Sequence, residues 1–184
     1  MKQHSGVKIW MILALSLVLP TGCKKANQEY RGDVILSSAF NFEDASVYGY
    51  NFEMGKRLIF PAPVGEPLPD IIVDRYRLLD GSVKPGFTSP ANTNGFALAG
   101  AFDNLQESLD YYENELLTFD ANAEFSPSSD TVREFQVWVL KTTLNKYVKL
   151  HVREIWTIDD VTGKFNEVMV DYYYQPDGTA TFPR

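Results

Sequence analysis

Beyond its first 22 residues the chain holds one histidine, His151, and two methionines, Met54 and Met169. Imidazole nitrogen and thioether sulfur both ligate haem iron, so these three side chains are the candidate axial ligands. Each also has a plainer role open to it. His151 alternates with Lys149 and Arg153 along a strand, which places it half-exposed on a polar face, and methionine is a common filler of core gaps. One histidine cannot build a multi-histidine metal site or a Cys/His protease pair within one chain. The acids are many but unpaired: Asp159 and Asp160 fall in a turn, and Asp70 and Asp74 flank a strand. No G-x-S-x-G, H-E-x-x-H, P-loop, G-x-G-x-x-G or EF-hand pattern occurs, so neither a catalytic residue nor a metal ligand is assigned. The aromatics are more suggestive as a set. Tyr172, Tyr173 and Tyr174 are consecutive and project to both faces of a strand, while Tyr48, Tyr50 and Phe52 form an alternating row. Packing alone favours aromatics on strands, but such rows also line grooves for flat apolar ligands or sugar rings.

The only cysteine is Cys23. It follows a basic start with Lys2 and Lys8, an apolar run of 11 residues over 9–19, and Pro20-Thr21-Gly22. This is the plan of a secretory signal, and the run is about half of the roughly 20 residues needed to span a bilayer. Its end resembles a bacterial lipobox, with Gly22 as the small residue before the cut and Cys23 as the lipidated residue. Pro20 stands where Leu is usual, beside Leu19. Residues 1–22 are therefore expected to be a lipoprotein signal peptide, and residues 23–32, polar and poor in apolar side chains, a lipid-anchored tether. The expected location is the bacterial cell envelope, lipid-anchored at the outer membrane, with the bilayer as partner through acylated Cys23.

Without the leader, 162 of the 184 residues remain, the size of one domain over 33–184. Lys2 and Lys8 leave with it, so 15 basic side chains face 24 acidic ones, a formal charge of −9. A nucleic-acid binder needs a basic stripe, and none is present. A composition 45% hydrophobic, 14% aromatic and 22% charged is that of a globular protein. The excess acid reads as a solvated surface.

These residues must be positioned by a mostly-β domain. Prolines and glycines crowd 61–95, forbidding helix and favouring short strands joined by turns. Strands are expected at 34–42, 48–54, 57–60, 71–79 and 95–102, with turns at Gly55-Lys56 and Asp80-Gly81. A meander follows at 133–141, 146–158 and 165–175. In its second strand Val148, Leu150, Val152, Trp156 and Ile158 are expected on one face. One amphipathic helix is predicted near 103–117, capped by Asp103 with Gln106 as capping-box partner and buried through Leu105, Leu109, Tyr112 and Leu116. The fold class expected is antiparallel sheets in a sandwich or partly closed barrel.

The runs VWVLKTTLNKYVKLHV over 137–152 and VDYYYQPDGTATF over 170–182 resemble the end of the HmuY-like bacterial haem-binding lipoproteins. The matching positions are Lys141, Thr142, Lys146, Tyr147, Lys149, Leu150, Tyr174, Gln175, Asp177 and Gly178. The motif is a hairpin and its turn, so the resemblance speaks first for the fold. It implies a surface-anchored, non-catalytic haem- or porphyrin-binding protein. Founding members hold haem through a histidine pair, and related members use methionine. Here a single histidine leaves His/Met, Met/Met or a haem shared between two chains. The alternative is a lipid-anchored adhesion or accessory module that binds protein or glycan without haem, marked by an exposed aromatic patch around Tyr48 and Tyr50. Replacing Cys23 with Ser should abolish incorporation of labelled palmitate and move the protein from the membrane pellet to the soluble fraction.

Overall fold

The computed structural model describes residues 30–182. The expected leader, Cys23 and the tether up to residue 29 lie outside the described residues. The last tether residues already belong to the domain. Tyr30 packs against the core and its ring lies 6.0 Å from that of Tyr174, while Arg31 and Gly32 begin the first strand.

Ten strands and one short helix make up the described residues. Five strands form the main antiparallel sheet: β1 (Arg31–Ser37), β6 (Phe96–Ala101), β8 (Gln136–Lys141), β9 (Tyr147–Asp160) and β10 (Gly163–Gln175), in the order β1-β10-β9-β8-β6. Two smaller sheets lie on one face of it: β2 (Val47–Asn51) paired with β3 (Lys56–Phe60), and β4 (Ile72–Arg77) paired with β5 (Val83–Thr88) and then β7 (Ser128–Thr131). The core between the layers takes Val148, Leu150 and Val152 from β9 and Val168, Val170, Tyr172 and Tyr174 from β10. Tyr50, Phe52, Ile71, Val73 and Phe87 meet them from the other side. Alternating β-branched, leucine and aromatic residues fill this face by period-two geometry. The result is an open β-sandwich, not a closed barrel.

The long β9–β10 hairpin is the spine. Its tip turns through Gly163 at φ +100, a conformation open to glycine, with the Asp160 side chain accepting from the Thr162 amide at 2.7 Å. Along it, Val170 pairs with Val152 but Met169 pairs with Glu154, so β9 carries an extra residue there. The bulge reverses the alternation beyond it. Ile155 packs on the same core as Val152, and Thr157 joins Asn166 on that side. Trp156 and Ile158 therefore do not share the face of Val148, Leu150 and Val152.

The second face of the sheet is not a solvated one near Lys149 and His151. Both are fully buried, beneath Tyr112 and Leu116 and the C-terminal Ala180 and Phe182. The expected half-exposure of His151 is thus corrected. Strand alternation chose its face rightly, but the helix and tail cover that face. The helix itself is shifted by one residue. Asn104 caps it, accepting from the Glu107 amide at 3.0 Å, in place of Asp103. Regular α1 spans Leu105–Asp110, and Tyr111–Glu115 widens into a π-helical turn. This brings Ser108, Tyr112 and Leu116 inward and leaves Leu105 exposed.

Two strands escape the sequence patterns. β5 contains Pro85 and Gly86, and Gly86 is required because a Cβ there would sit 2.1 Å from the Tyr76 ring. β7 is a polar Ser-Ser-Asp-Thr run with no apolar alternation. Of the tyrosine row, only Tyr48 is exposed. Tyr50 is buried, its hydroxyl 3.1 Å from that of Tyr172.

Asp70, just before β4, is buried and accepts from the Phe52 amide at 2.9 Å. Burial dominates and lifts its pKa from 3.8 to about 6. The folded state therefore holds this proton more tightly than the unfolded chain. The group's contribution to stability falls as pH rises from about 4 to about 6. Asp70→Asn should keep the acceptor, flatten that pH dependence, and raise stability above pH 6 by about 2 kcal/mol in denaturant titrations.

Candidate functional site

Two constellations stand out, one closed and one open. The closed one surrounds His151 on β9. Its Nε2 lies 2.9 Å from Ser108 Oγ, and its Nδ1 lies 3.3 Å from Asp171 Oδ2 on the neighbouring strand. A carboxylate can only accept, so Nδ1 carries the proton toward Asp171. Arg153 Nη1 donates to the other oxygen of Asp171 at 3.3 Å. The Tyr112 ring stacks on the imidazole with centroids 5.5 Å apart. Two residues away, the Lys149 ammonium donates to Tyr112 O at 2.5 Å and Leu116 O at 3.3 Å. It lies 4.6 Å from the Tyr112 ring centroid and 5.5 Å from that of Phe182. Lys149 thus terminates the π-turn, supplying donors to carbonyls that the widened helix leaves free, within an aromatic cage. Desolvation holds its pKa down, to about 8.

Ser108, His151 and Asp171 follow the order of a Ser/His/Asp relay. Ser108 is completely buried, however, and its Oγ is also placed to donate to Leu105 O at 3.0 Å. The arrangement satisfies buried polar groups and presents no hydroxyl to a substrate.

The other two sequence candidates lie apart. Met169 is half-buried at the bulge, on the same face of β10 as Asp171, opposite Ile35 and Glu154. Met54 is exposed in the turn joining β2 to β3. The structure places Met169 on the covered face with His151 but does not bring Met54 to them, and both imidazole nitrogens already have partners.

The open constellation is a groove of about 660 Å³ at the other end of the sandwich. Its walls come from the β4–β5 hairpin, from Phe102 and Asp103 ahead of α1, from residues 131–135, and from Ile155, Thr157 and Asn166 of the spine. The backbone around it is pinned. Val132 N donates to Pro85 O at 2.8 Å, Phe135 N to Val152 O at 2.8 Å, and Phe102 N to Phe135 O at 3.2 Å. These bonds hold Phe135 at φ +65, which for a non-glycine residue costs roughly 1–2 kcal/mol. Such strain persists only where neighbours over-determine it, and it recurs at ligand sites. Glu134 is oriented by accepting from the Ile155 amide at 2.9 Å, and Lys84 and Arg133 reach the groove from exposed positions.

Asn166 is almost wholly buried in this wall. Its Nδ2 donates to Thr157 Oγ1 at 3.0 Å, and its Oδ1 has no partner. A buried acceptor left unsatisfied costs about 1–3 kcal/mol and calls for a ligand donor or an ordered water. Thr131 and Arg133 also border a second, adjoining groove of about 410 Å³, which includes Gln136 and Trp138.

Sequence reasoning found His151 but missed its partners and the groove. Ser108 was readable as the i−4 neighbour of Tyr112. Phe135 and Asn166 carry no sequence signal, because one owes its importance to a backbone angle and the other to a bulge. No protein-family model matches the chain, and no curated protein matches it.

Ser108→Ala strands a buried imidazole nitrogen and should lower unfolding free energy by about 1–3 kcal/mol. Lys149→Ala removes both donors and the caged stem, and should cost about 3 kcal/mol or more in the same chemical denaturation experiment.

Proposed function

We propose that the protein is a lipid-anchored, non-catalytic binding module of the bacterial cell envelope, whose ligand occupies the groove beside Asn166. The observation that carries this reading is an open groove of about 660 Å³ with a pinned backbone and a strained aromatic residue at its edge. The volume lies within the range of small-ligand sites, roughly 300–1,000 Å³. The groove is also well placed for an anchored protein. The chain enters the domain at Tyr30, and Asn166 sits beyond the far end of β1, where the Ser38 amide donates to Asn166 O at 2.9 Å. Eight residues of strand separate the two, roughly 26 Å. An anchor at Cys23 would leave the groove facing away from the bilayer. The non-catalytic reading is supported by the burial of Ser108, among the described residues the one hydroxyl with a histidine–aspartate partner.

A second reading, haem or porphyrin capture, rests on the HmuY-like meander, whose hairpin is formed by β8 and β9 as its motif implies. It would use His151 with Met169, on the covered face. The geometry favours the first reading, because none of His151, Met54 and Met169 lines the groove and His151 is completely buried. Titrating haemin into the full-length protein in detergent, against protein-free micelles, distinguishes them. The expected spectrum is that of micellar haemin alone. A saturable six-coordinate Soret band, lost in Met169→Ala, would restore the haem reading.

A further inference from the structure

We propose that the outer edge of β6 takes up an extended, basic segment of a partner protein as an added strand, laid along the smaller groove. This goes beyond the ligand of the larger groove. The two sites adjoin at Thr131 and Arg133, but neither reading depends on the other.

β6 ends the main sheet, and among the described residues only Ser126 bridges to its outer side. Ladder alternation determines which groups are left there. Lys141 N donates to Gly95 O at 2.7 Å, so Gly95 faces β8. Phe96 faces outward and exchanges 2.9 Å bonds with Ser126 in both directions. The N–H and C=O of Leu98 therefore also point away from β8. Past the bulge, Phe102 N donates to Phe135 O at 3.2 Å, which leaves Ala101 facing outward in the same way. Glu124, which a continued ladder would set opposite Leu98, makes no bridge to it. The other edge of the sheet is guarded. On β1, Arg57 Nη2 donates to Ile35 O at 2.8 Å, and Arg31 and Asp33 carry charge along the strand. Charged side chains of this kind discourage pairing at an edge. β6 reads Phe-Ala-Leu-Ala-Gly-Ala, with no charge and no proline. Its bulge is satisfied internally, since Tyr111 Oη donates to Ala99 O at 3.0 Å.

The groove supplies places for the side chains of an added strand. Leu98 is 47% exposed and stands opposite Trp138, which belongs to the core. Cross-strand partners share a face, so an apolar side chain set beside Leu98 would extend the core outward. Charge decides what kind of segment fits. Glu124 and Asp130 oppose Arg133 in the smaller groove, and Asp103 and Glu134 oppose Lys84 where the larger one joins it. Four acids thus face two bases. Self-pairing of two copies through β6 would bring these acids toward their own counterparts, whereas a basic segment complements them. Strand addition takes affinity from main-chain bonds and specificity from alternate side chains. The partner segment is therefore one in which lysine or arginine alternates with apolar residues.

The test uses the full-length protein in an uncharged detergent. The probes are nonapeptides alternating valine, isoleucine or threonine with lysine, the same set with glutamate, lysine peptides N-methylated on one or the other alternate set of amides, and spermine. At least one lysine peptide should bind saturably and slow hydrogen exchange at the Leu98 and Ala101 amides. N-methylation of one alternate set should abolish binding. Leu98→Lys should weaken it at least tenfold, and Glu124→Gln combined with Asp130→Asn several-fold. All three positions are exposed, so the unfolding midpoint should not change. Lysine peptides indifferent to N-methylation, or fully displaced by spermine, would overturn strand addition. Tighter binding of glutamate peptides would overturn the basic partner. Dimers of the free protein that Leu98→Lys dissolves in sedimentation runs would assign the edge to a second copy instead. Binding unchanged in every variant, or no peptide bound at all, would overturn the site.

Discussion

The bulge at Met169/Val170 is the constraint on which the rest of the molecule turns. A strand of 14 residues paired with one of 13 would, if regular, keep one face apolar and one face polar along its whole length. One extra residue in β9 divides the hairpin into two segments with opposite alternation. Near the domain's entry the core face takes Val148, Leu150 and Val152, and Lys149 and His151 go to the face that the helix and tail cover. Beyond the bulge the core side takes Ile155 and then Thr157, opposite Asn166. That second segment makes one wall of the groove. A regular hairpin would have put Trp156 there instead of a hydroxyl.

The two ends consequently have opposite characters. At the covered end, buried polar groups are matched. Lys149 has two carbonyls and an aromatic cage, and His151 has a hydroxyl on one nitrogen and a carboxylate on the other. Buried charge is tolerated only under such pairing. At the groove end the matching is incomplete at Asn166, and the backbone at Phe135 is held in a conformation that the residue disfavours. Matched buried polar groups lie toward one end of the hairpin and an unmatched acceptor toward the other.

Much of this architecture was legible from residue patterns. The meander strands, the turns at Gly55 and Gly81, and the tyrosines of β10 all follow from period-two alternation and turn chemistry. What escaped did so for physical reasons. β5 carries a proline and a glycine that local propensity counts against a strand, yet Tyr76 packing demands the glycine. β7 is polar and forms because β5 offers it an edge. The helix cap is Asn104 in place of Asp103, and Ser108, one turn before Tyr112 on the same face, points inward to His151. The candidate site was the least legible. Alternation placed His151 correctly by face, but coverage of that face depends on a helix and a tail distant in sequence. Nothing in Arg133-Glu134-Phe135 or in Asn166 announces a groove, because it exists only once three sheets and a bulge have come together.

The most direct test of this division is residue-resolved NMR on the protein in micelles, with shift changes mapped on adding a library of small-molecule fragments and then, separately, haemin. Changes confined to Phe135, Thr157 and the other groove residues on fragment addition, with the His151 ring signals unmoved by either addition, are the expected result. Perturbation of His151 and Met169 by haemin, with the groove silent throughout, would contradict it.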